Sequence, residues 1–447
     1  MKTAIPRRPV DKWILDPIGR FMEKSTTSGL ILFASATAAL IIANSPWQEA
    51  YHHFWHQSFS IGFNDYVLSK TLHHWINDGL MAIFFFVVGL ELKREIIGGE
   101  LRKPKDAIMP IAAAIGGMVF PAAIYLLFNQ SGSAADGWGI PMATDIAFAL
   151  GVIYLLGNRV PTSLKVFLTV LAIADDIGAV LVIALFYTSN IDFASLSVGA
   201  LFMVVLVLSN LLGVRNTLYY GIVGICGLWL AFLMSGVHAT IAAVLAASTI
   251  PANVRISENF FNIRLSHLLD KFKAAKPNNM PTVSHEQFEI LSQIRLTTKY
   301  ALTPLQRLEH GMHPLVAFVI LPIFAFSNAG ITLSTNSMDD VLSPVALGVM
   351  LGLILGKVIG VASGVFVVQQ LRIAQLPVGM GWKEVWSVGL LAAIGFTMSL
   401  FITELAFPET PYVAQAKIGI LAASVFAGAL GFFVLRFFGN SQQNRPS

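Results

Sequence analysis

The chain is short of charge and nearly without cysteine. Of its 447 residues only 12% are Asp, Glu, Lys or Arg, about half the roughly 25% of a soluble globular protein. Hydrophobic residues reach 55% and the mean hydropathy is +0.69, so one soluble core this large would lack the charged surface to cover it. Disorder and a coiled coil are excluded as well. The single cysteine, Cys226, lies in an apolar run and can form no internal disulfide, which excludes a secreted disulfide scaffold. No phosphate-binding loop, nucleophile triad or zinc-ligand pattern is present. The basic excess, 29 against 25 for a net charge of +4, and the pI of 9.1 do not call for a nucleic acid, because the placement of the basic residues has another explanation.

What the chain has instead is long apolar runs. A membrane crossing takes about 20 apolar residues, so about twelve would use on the order of 240. Spans are predicted at Ser28–Asn44, Ile76–Gly98, Ala107–Phe128, Trp138–Leu156, Leu164–Thr188, Ala194–Leu212, Thr217–Met234, Gly236–Ile250, Pro304–Ala329, Leu342–Val368, Glu384–Phe407 and Ala414–Phe438. All are expected to be helical, since lipid leaves no other partner for backbone groups. The chain divides into a tail with an interfacial helix around Trp13, Ile14, Ile18 and Phe21 (1–27), eight spans (28–250), a long connection (251–303), four spans (304–438) and a second tail (439–447). The first span is read as a retained helix rather than a cleaved signal, because its apolar run is too long for one.

Basic residues alternate between connections. The N-terminal tail carries Lys2, Arg7, Arg8, Lys12, Arg20 and Lys24, and the second connection Lys93, Arg94, Arg102, Lys103 and Lys105. The fourth, sixth, eighth and tenth connections and the C-terminal tail are also basic, whereas the odd connections carry only Lys70 and Lys417. Positive-inside logic puts both termini in the cytoplasm and requires an even number of spans. The eighth connection alone resembles soluble structure. Phe261, Leu265, Leu268, Leu269 and Phe272 recur at helical spacing, and Ser284 with Gln287 makes a capping box for a second helix with Phe288, Leu291 and Ile294 on one face. Both helices are expected to lie on the membrane surface or the cytoplasmic mouth.

Four charges fall where lipid should be. Asp145 lies in the fourth span, the adjacent Asp175 and Asp176 in the fifth, and Lys357 in the tenth. Each costs about 2.5–3.5 kcal/mol on insertion scales and is a functional candidate by default. Neighbours on a helix point about 100° apart, so one of Asp175 and Asp176 can face a cavity while the other turns toward Lys357, the only plausible mid-membrane cation. Three carboxylates and one ammonium sum to −2, a charge that needs a cation or protons. Carboxylates, Thr144 and backbone carbonyls are the oxygen ligands that a hard monovalent cation takes, and the same carboxylates bind protons. Competition at a site open to each side in turn is the minimal machine for exchange. The fourth span, with Pro141, Thr144 and Asp145, and the eleventh, with Gly395, Thr397 and Ser399, look interrupted, a pointer to a transporter site.

These residues make the chain resemble the NhaA-type sodium/proton antiporters. The motifs are Trp75-Ile76-Asn77-Asp78, the run from Val88 to Glu95, Ala143-Thr144-Asp145 through Gly151, Asp175-Asp176, Ser235 to Thr240, Arg307-Leu308-Glu309-His310 with His313-Pro314, Phe324 to Gly330, Lys357 and Gly395-Phe396-Thr397-Met398-Ser399. The resemblance implies an all-α membrane fold with inverted repeats and two interrupted helices, in a bacterial inner membrane. It implies electrogenic export of Na⁺ or Li⁺ against a larger number of protons. Asp176 would be the main cation ligand and Asp175 the partner of Lys357. Asp145 and Thr144 would sit at the crossing of two unwound helices, Asp145 offsetting helix N-termini and Lys357 the C-termini. Glu91, Lys93, Arg94, Glu95, Glu309, His310 and His313 match a cytoplasmic cluster linked to activation at alkaline pH, and His238 another pH-related position.

The resemblance also implies no cofactor beyond the transported ions, membrane lipid as surroundings, and a homodimer supported by a β-hairpin in the first outer connection, where Phe59, Ile61 and Phe63 alternate. Two departures stand out: the connection between Ile250 and Glu309 is longer than in familiar members, and Glu404 replaces an expected small neutral residue. Glu404, near the outer end of its span, is expected to be solvated at the interface. His52 and His56 have metal-like i, i+4 spacing but read as interfacial histidines. The chain is not expected to be an enzyme. The rival readings are a symporter of a small solute and an intramembrane aspartyl protease using Asp145 and Asp176.

Overall fold

The structure, a computed structural model, describes residues 25–438 apart from 64–65, 189–190, 276–281, 333–336, 378 and 409. The expected interfacial helix and both tails beyond those limits lie outside the described residues. Among the described residues, eight helices are long and apolar enough to cross a membrane. They are the third to seventh spans (Ala107–Phe128, Ser133–Leu155, Thr162–Phe186, Phe193–Leu211, Thr217–Ser235), the ninth (Pro304–Asn328), the tenth (Pro344–Gln370) and the twelfth (Tyr412–Phe437). The other four expected spans depart from a long apolar rod for separate reasons. The first, Ser25–Ala43, turns by 114° into the short helix Gln48–His56. The second begins with a π-helical turn at Trp75–Leu80 before Met81–Gly98 and carries a cluster of charges at its far end. The eleventh is split into Trp382–Ala392 and Phe396–Ala406, bent by 47°.

The eighth is shorter than the run Gly236–Ile250 suggests. Its helix is Ala239–Thr249, because Gly236 sits in the left-handed region at φ 79° and His238, at ψ 124°, is not helical. Eleven residues rise about 16 Å, half the hydrocarbon thickness of about 30 Å. Its alanine-rich face is covered by protein rather than lipid: a side chain at Gly89 of the second span would strike Ala247.

Two faces of the bundle can be told apart. The hairpin face carries β1 (Ser58–Phe63) and β2 (Tyr66–Thr71), antiparallel with Ser58 opposite Thr71 and Phe63 opposite Tyr66. On the same face Asp192 caps the sixth span through the Ala194 and Ser195 amides. The Ser195 hydroxyl, then those amides, hold its carboxyl below the usual carboxylate range. The opposite, basic face carries the long connection, folded into helices Glu258–Ala274 and His285–Ala301. The Ser284–Gln287 capping box is present. The buried stripe of the second helix differs from the expected one. Ile290 and Ile294 pack on Leu268 and Phe272, while Phe288 and Leu291 point outward. The two helices cover each other first, and that mutual contact sets their rotation.

Close backbone approach holds the third and tenth spans together. A Cβ on Gly360 would collide with the Gly116 carbonyl, and one on Gly116 with the Gly360 carbonyl, the small-residue packing that replaces hydrophobic drive inside lipid. Gly360→Leu should therefore separate the two spans and lower stability by about 1–3 kcal/mol. Thermal unfolding of the detergent-purified variant checks this, and an unchanged midpoint would contradict the close packing.

Candidate ion-binding site

The site grows out of two breaks. In the fourth span a 3₁₀ segment, Ser133–Met142, ends at Pro141 and Met142, the chain runs extended through Ala143 to Asp145, and an α-helix restarts at Ile146. In the eleventh the helix stops at Ala392 and restarts at Phe396. Gly395 belongs at this break because a side chain there would collide with Ser399 and crowd the Ala143 carbonyl.

Each break exposes backbone groups that lipid cannot satisfy, and the two breaks satisfy each other. The Asp145 amide donates to the Ile394 carbonyl at 2.7 Å. The Ser399 hydroxyl donates to the Ile140 carbonyl at 2.9 Å, and the Phe396 amide to Ser424 Oγ at 3.2 Å. Asp145 caps two helices at once. Its Oδ1 accepts from the Phe148 amide at 2.9 Å, and its Oδ2 accepts from the Thr397 amide at 3.0 Å and hydroxyl at 2.5 Å. Both helix N-termini carry about half a positive charge, so this carboxylate is compensated in place.

Asp175 and Asp176 lie on the fifth span beside this crossing, both buried. Asp175 Oδ2 accepts from Lys357 Nζ at 2.6 Å and from the Thr144 hydroxyl at 2.7 Å. That hydroxyl also lies 2.9 Å from the Ala392 carbonyl. Lys357 is fully buried directly after a π-helical turn, Gly352–Gly356, and Gly117 leaves room for its stem. Asp175 Oδ1 and Asp176 Oδ1 are buried with no hydrogen-bond partner. Asp176 lies in the field of Asp175, Glu91 and Asp145, with Lys357 as the opposing charge. Buried carboxylate oxygens left bare beside bound ones are what a hard monovalent cation or a proton would occupy.

The residues expected to form a pH-related cluster are only partly brought together. Arg94 bridges Glu95 at 2.7 Å and Glu309 at 2.6 Å, and Glu91 lies in the electrostatic reach of all three. Lys93 donates instead to the Ser248 and Ile250 carbonyls at 2.6 and 2.5 Å, pinning the end of the short eighth helix. His310 and His313 follow Glu309 on its helix, which begins with a Thr303–Gln306 capping box, and both are exposed. His238 is elsewhere. It bonds the Tyr187 carbonyl at 2.8 Å at the hairpin-face end of the fifth span, so it cannot share a titrating unit with Glu309.

One expectation is overturned. Glu404 is not solvated at an interface: Lys417 Nζ lies 2.6 Å from its Oε1, with the two side chains 11% and 18% exposed. Lys417 lies near the start of the twelfth span, whose helix begins at Tyr412. His56 Nδ1 engages the His52 carbonyl at 2.8 Å, an ordinary helical contact. Sequence reasoning missed Asn328, Ser424 and Lys417, which find partners on other helices; only the position of Asn328 within the Phe324–Gly330 motif hinted at a role.

The sequence profile described as Na⁺/H⁺ antiporter 1 matches residues 19–435. The chain belongs to this family. It is 49% identical over 430 residues to the Na(+)/H(+) antiporter NhaA of Oleidesulfovibrio alaskensis, covering 96% of this chain and 95% of that one. It is 47% identical over 426 residues to the Na(+)/H(+) antiporter NhaA of Acidithiobacillus ferrooxidans, covering 94% and 97%. The chain is a multi-pass membrane protein with the helical fold of its family, the fourth and eleventh spans interrupted.

The geometry makes Lys357 a partner that the fold cannot lose freely. Lys357→Met should strand the buried Asp175 and lower stability by about 3–5 kcal/mol. Adding Asp175→Asn should recover part of that loss. Thermal unfolding of both variants decides it, and a double variant no better than the single would show that the pair is not coupled.

Proposed function

We propose that the chain is an electrogenic antiporter that exports Na⁺ or Li⁺ in exchange for H⁺ across a bacterial inner membrane, its basic face and both termini on the cytoplasmic side. The carrying observation is the pair of bare buried oxygens, Asp175 Oδ1 and Asp176 Oδ1, in a family whose relatives bear the name Na(+)/H(+) antiporter.

Charge balance gives the mechanism. Two helix N-termini offset Asp145, and Lys357 offsets Asp175. Asp176 remains, carrying one negative charge that one monovalent cation or one proton neutralises. In this reading Asp176 is the main cation ligand, with the free oxygen of Asp175 beside it, and Thr144 and Asp145 hold the crossing that shapes the site. Cation and proton exclude each other because both need the same lone pairs. Alternating exposure of the site to the two faces then converts competition into exchange. The Asp175–Lys357 pair provides the second protonatable unit that an electrogenic cycle requires. Each net positive charge moved inward down 100 mV releases about 2.3 kcal/mol, so an inside-negative potential drives sodium out even without a pH gradient.

Protons compete for the site, so activity falls as the cytoplasm turns acid. The Arg94, Glu95 and Glu309 unit, with Glu91, Lys93, His310 and His313 around it, is the cytoplasmic pH-responsive group; His238 is a separate candidate on the other face. The hairpin exposes Phe59, Ile61 and Val67, apolar surface suited to pairing with a second copy in a homodimer. A transporter needs no resident cofactor and no bond-making chemistry. The protease reading fails on geometry, because both Asp145 oxygens are already engaged in capping.

In everted vesicles containing only this transporter, Asp176→Asn should abolish the Na⁺-induced collapse of the pH gradient, and normal activity in that variant would refute the assignment. Purified protein should release protons on addition of Na⁺, and less of them at alkaline pH, where the carboxylates are already ionised. Sodium binding without proton displacement at any pH would end the competition mechanism.

A further inference from the structure

The second and ninth spans are tied at both ends. On the basic face Arg94 of the second span holds Glu309 of the ninth. On the hairpin face the tie is a ring of three neutral side chains. Asn328 Nδ2 donates to Asn77 Oδ1 at 3.0 Å. His73 Nε2 lies 3.1 Å from Asn328 Oδ1, and Asn77 Nδ2 lies 3.5 Å from His73 Nδ1. The only assignment that satisfies all three places the proton on Nε2, donating to Asn328, and leaves Nδ1 as acceptor for Asn77. The neutral imidazole therefore closes the ring.

A second proton breaks it. An N–H at Nδ1 would face the N–H of Asn77, donor against donor, and the imidazolium would need an anion. One is within reach: Glu404 Oε1 of the eleventh span lies 4.0 Å from His73 Nε2. Lys417 of the twelfth span already holds the same oxygen. The other charges near this group are His56, which faces both His73 and Glu404, and His52, near Lys417. Next to it His74 pairs with Asp78 at 2.8 Å. Among the described residues, Glu404 is the one carboxylate that acts on His73. It sits two helical turns from Thr397, which holds Asp145, on the same face of the same half-helix.

We propose that His73 is a positioning residue that acts through Glu404: when the hairpin face turns acid, it leaves the Asn77–Asn328 ring and ties the second span to the eleventh. The proton comes from the hairpin-face solution and goes to Nδ1; the Asn77 contact is lost and a contact with Glu404 is gained. Burial holds the free imidazole below its ordinary range, while Glu404 opposes that shift and Lys417 adds to it. The ring form therefore prevails at neutral pH, and the tie forms only as the pH drops below about 6.5. Since the eleventh span carries half of the crossing, the tie restrains the movement that exposes the site. This gives the exchanger a brake on the hairpin face, independent of the Arg94–Glu309 unit. The inference rests on the exchange reading above.

The test is two-sided. Right-side-out vesicles are held at a lumenal pH of about 8, the bath on the hairpin face is stepped from about 8 to about 5.5 across the histidine range, and radioactive sodium efflux is followed. Wild type and His73→Gln should run alike at the alkaline end. At the acid end the wild type should be slower by about threefold, the worth of a part-exposed ion pair. Should His73→Gln not assemble, Glu404→Asp, which keeps a charge for Lys417 but shortens the reach to His73, carries the same expectation. Superimposed profiles for wild type and variant at every hairpin-face pH would overturn the brake while leaving exchange intact. A wild type without sodium efflux at any pH would overturn both readings.

Discussion

One carboxylate holds the membrane core of this protein together. Two helices from opposite halves of the chain stop in mid-membrane, and each stop leaves amides and carbonyls that hydrocarbon cannot satisfy. Asp145 takes the amides at both restarts, Phe148 on its own helix and Thr397 on the other. Ser399 and the Asp145 amide take the carbonyls at Ile140 and Ile394. A charge-assisted bond of this kind is worth about 1.5–3 kcal/mol. The alternative for the crossing is an unmet polar group in lipid, so the arrangement is cooperative. Irregular backbone exists here only because an acid is buried with it.

The same bonds determine what remains for function. Asp145 is spent on helix ends and half of Asp175 on Lys357 and Thr144. The uncommitted capacity is concentrated on Asp175 Oδ1 and on Asp176. The fifth span needs no break to present these groups. Their adjacency, about 100° apart on a helix, lets one reach toward the tenth span while the other stays bare. A site that is neither fully paired nor fully exposed suits reversible capture of a small cation, under the proposed exchange.

Much of this was legible in the residues. The long membrane helices followed from apolar runs, because hydrophobic burial acts on local composition. The capping boxes at Ser284 and Thr303 were readable for the same reason, each closing within three residues. Glu404 was misread. Its surroundings in sequence, Ile402-Thr403 and Leu405, give no hint of Lys417 and His73, which arrive from the twelfth and second spans. The outward turn of Phe288 was also misjudged, since helical periodicity marks an apolar stripe without saying which part of it a neighbour will cover.

The sequence alone determined that the chain is a helical membrane protein, that its spans are interrupted at Pro141–Asp145 and near Gly395, and that Asp145, Asp175, Asp176 and Lys357 are buried; transfer energetics and backbone chemistry act on each residue wherever the rest of the chain goes. Tertiary structure alone decided which oxygen each group spends and on whom. It split the titratable residues between two faces, leaving His238 apart from Glu309, and it paired Lys417 with Glu404 and His73 with Asn328. Those choices depend on which helices cross and at what depth. That is a property of packing between separate helices, and no local pattern carries it.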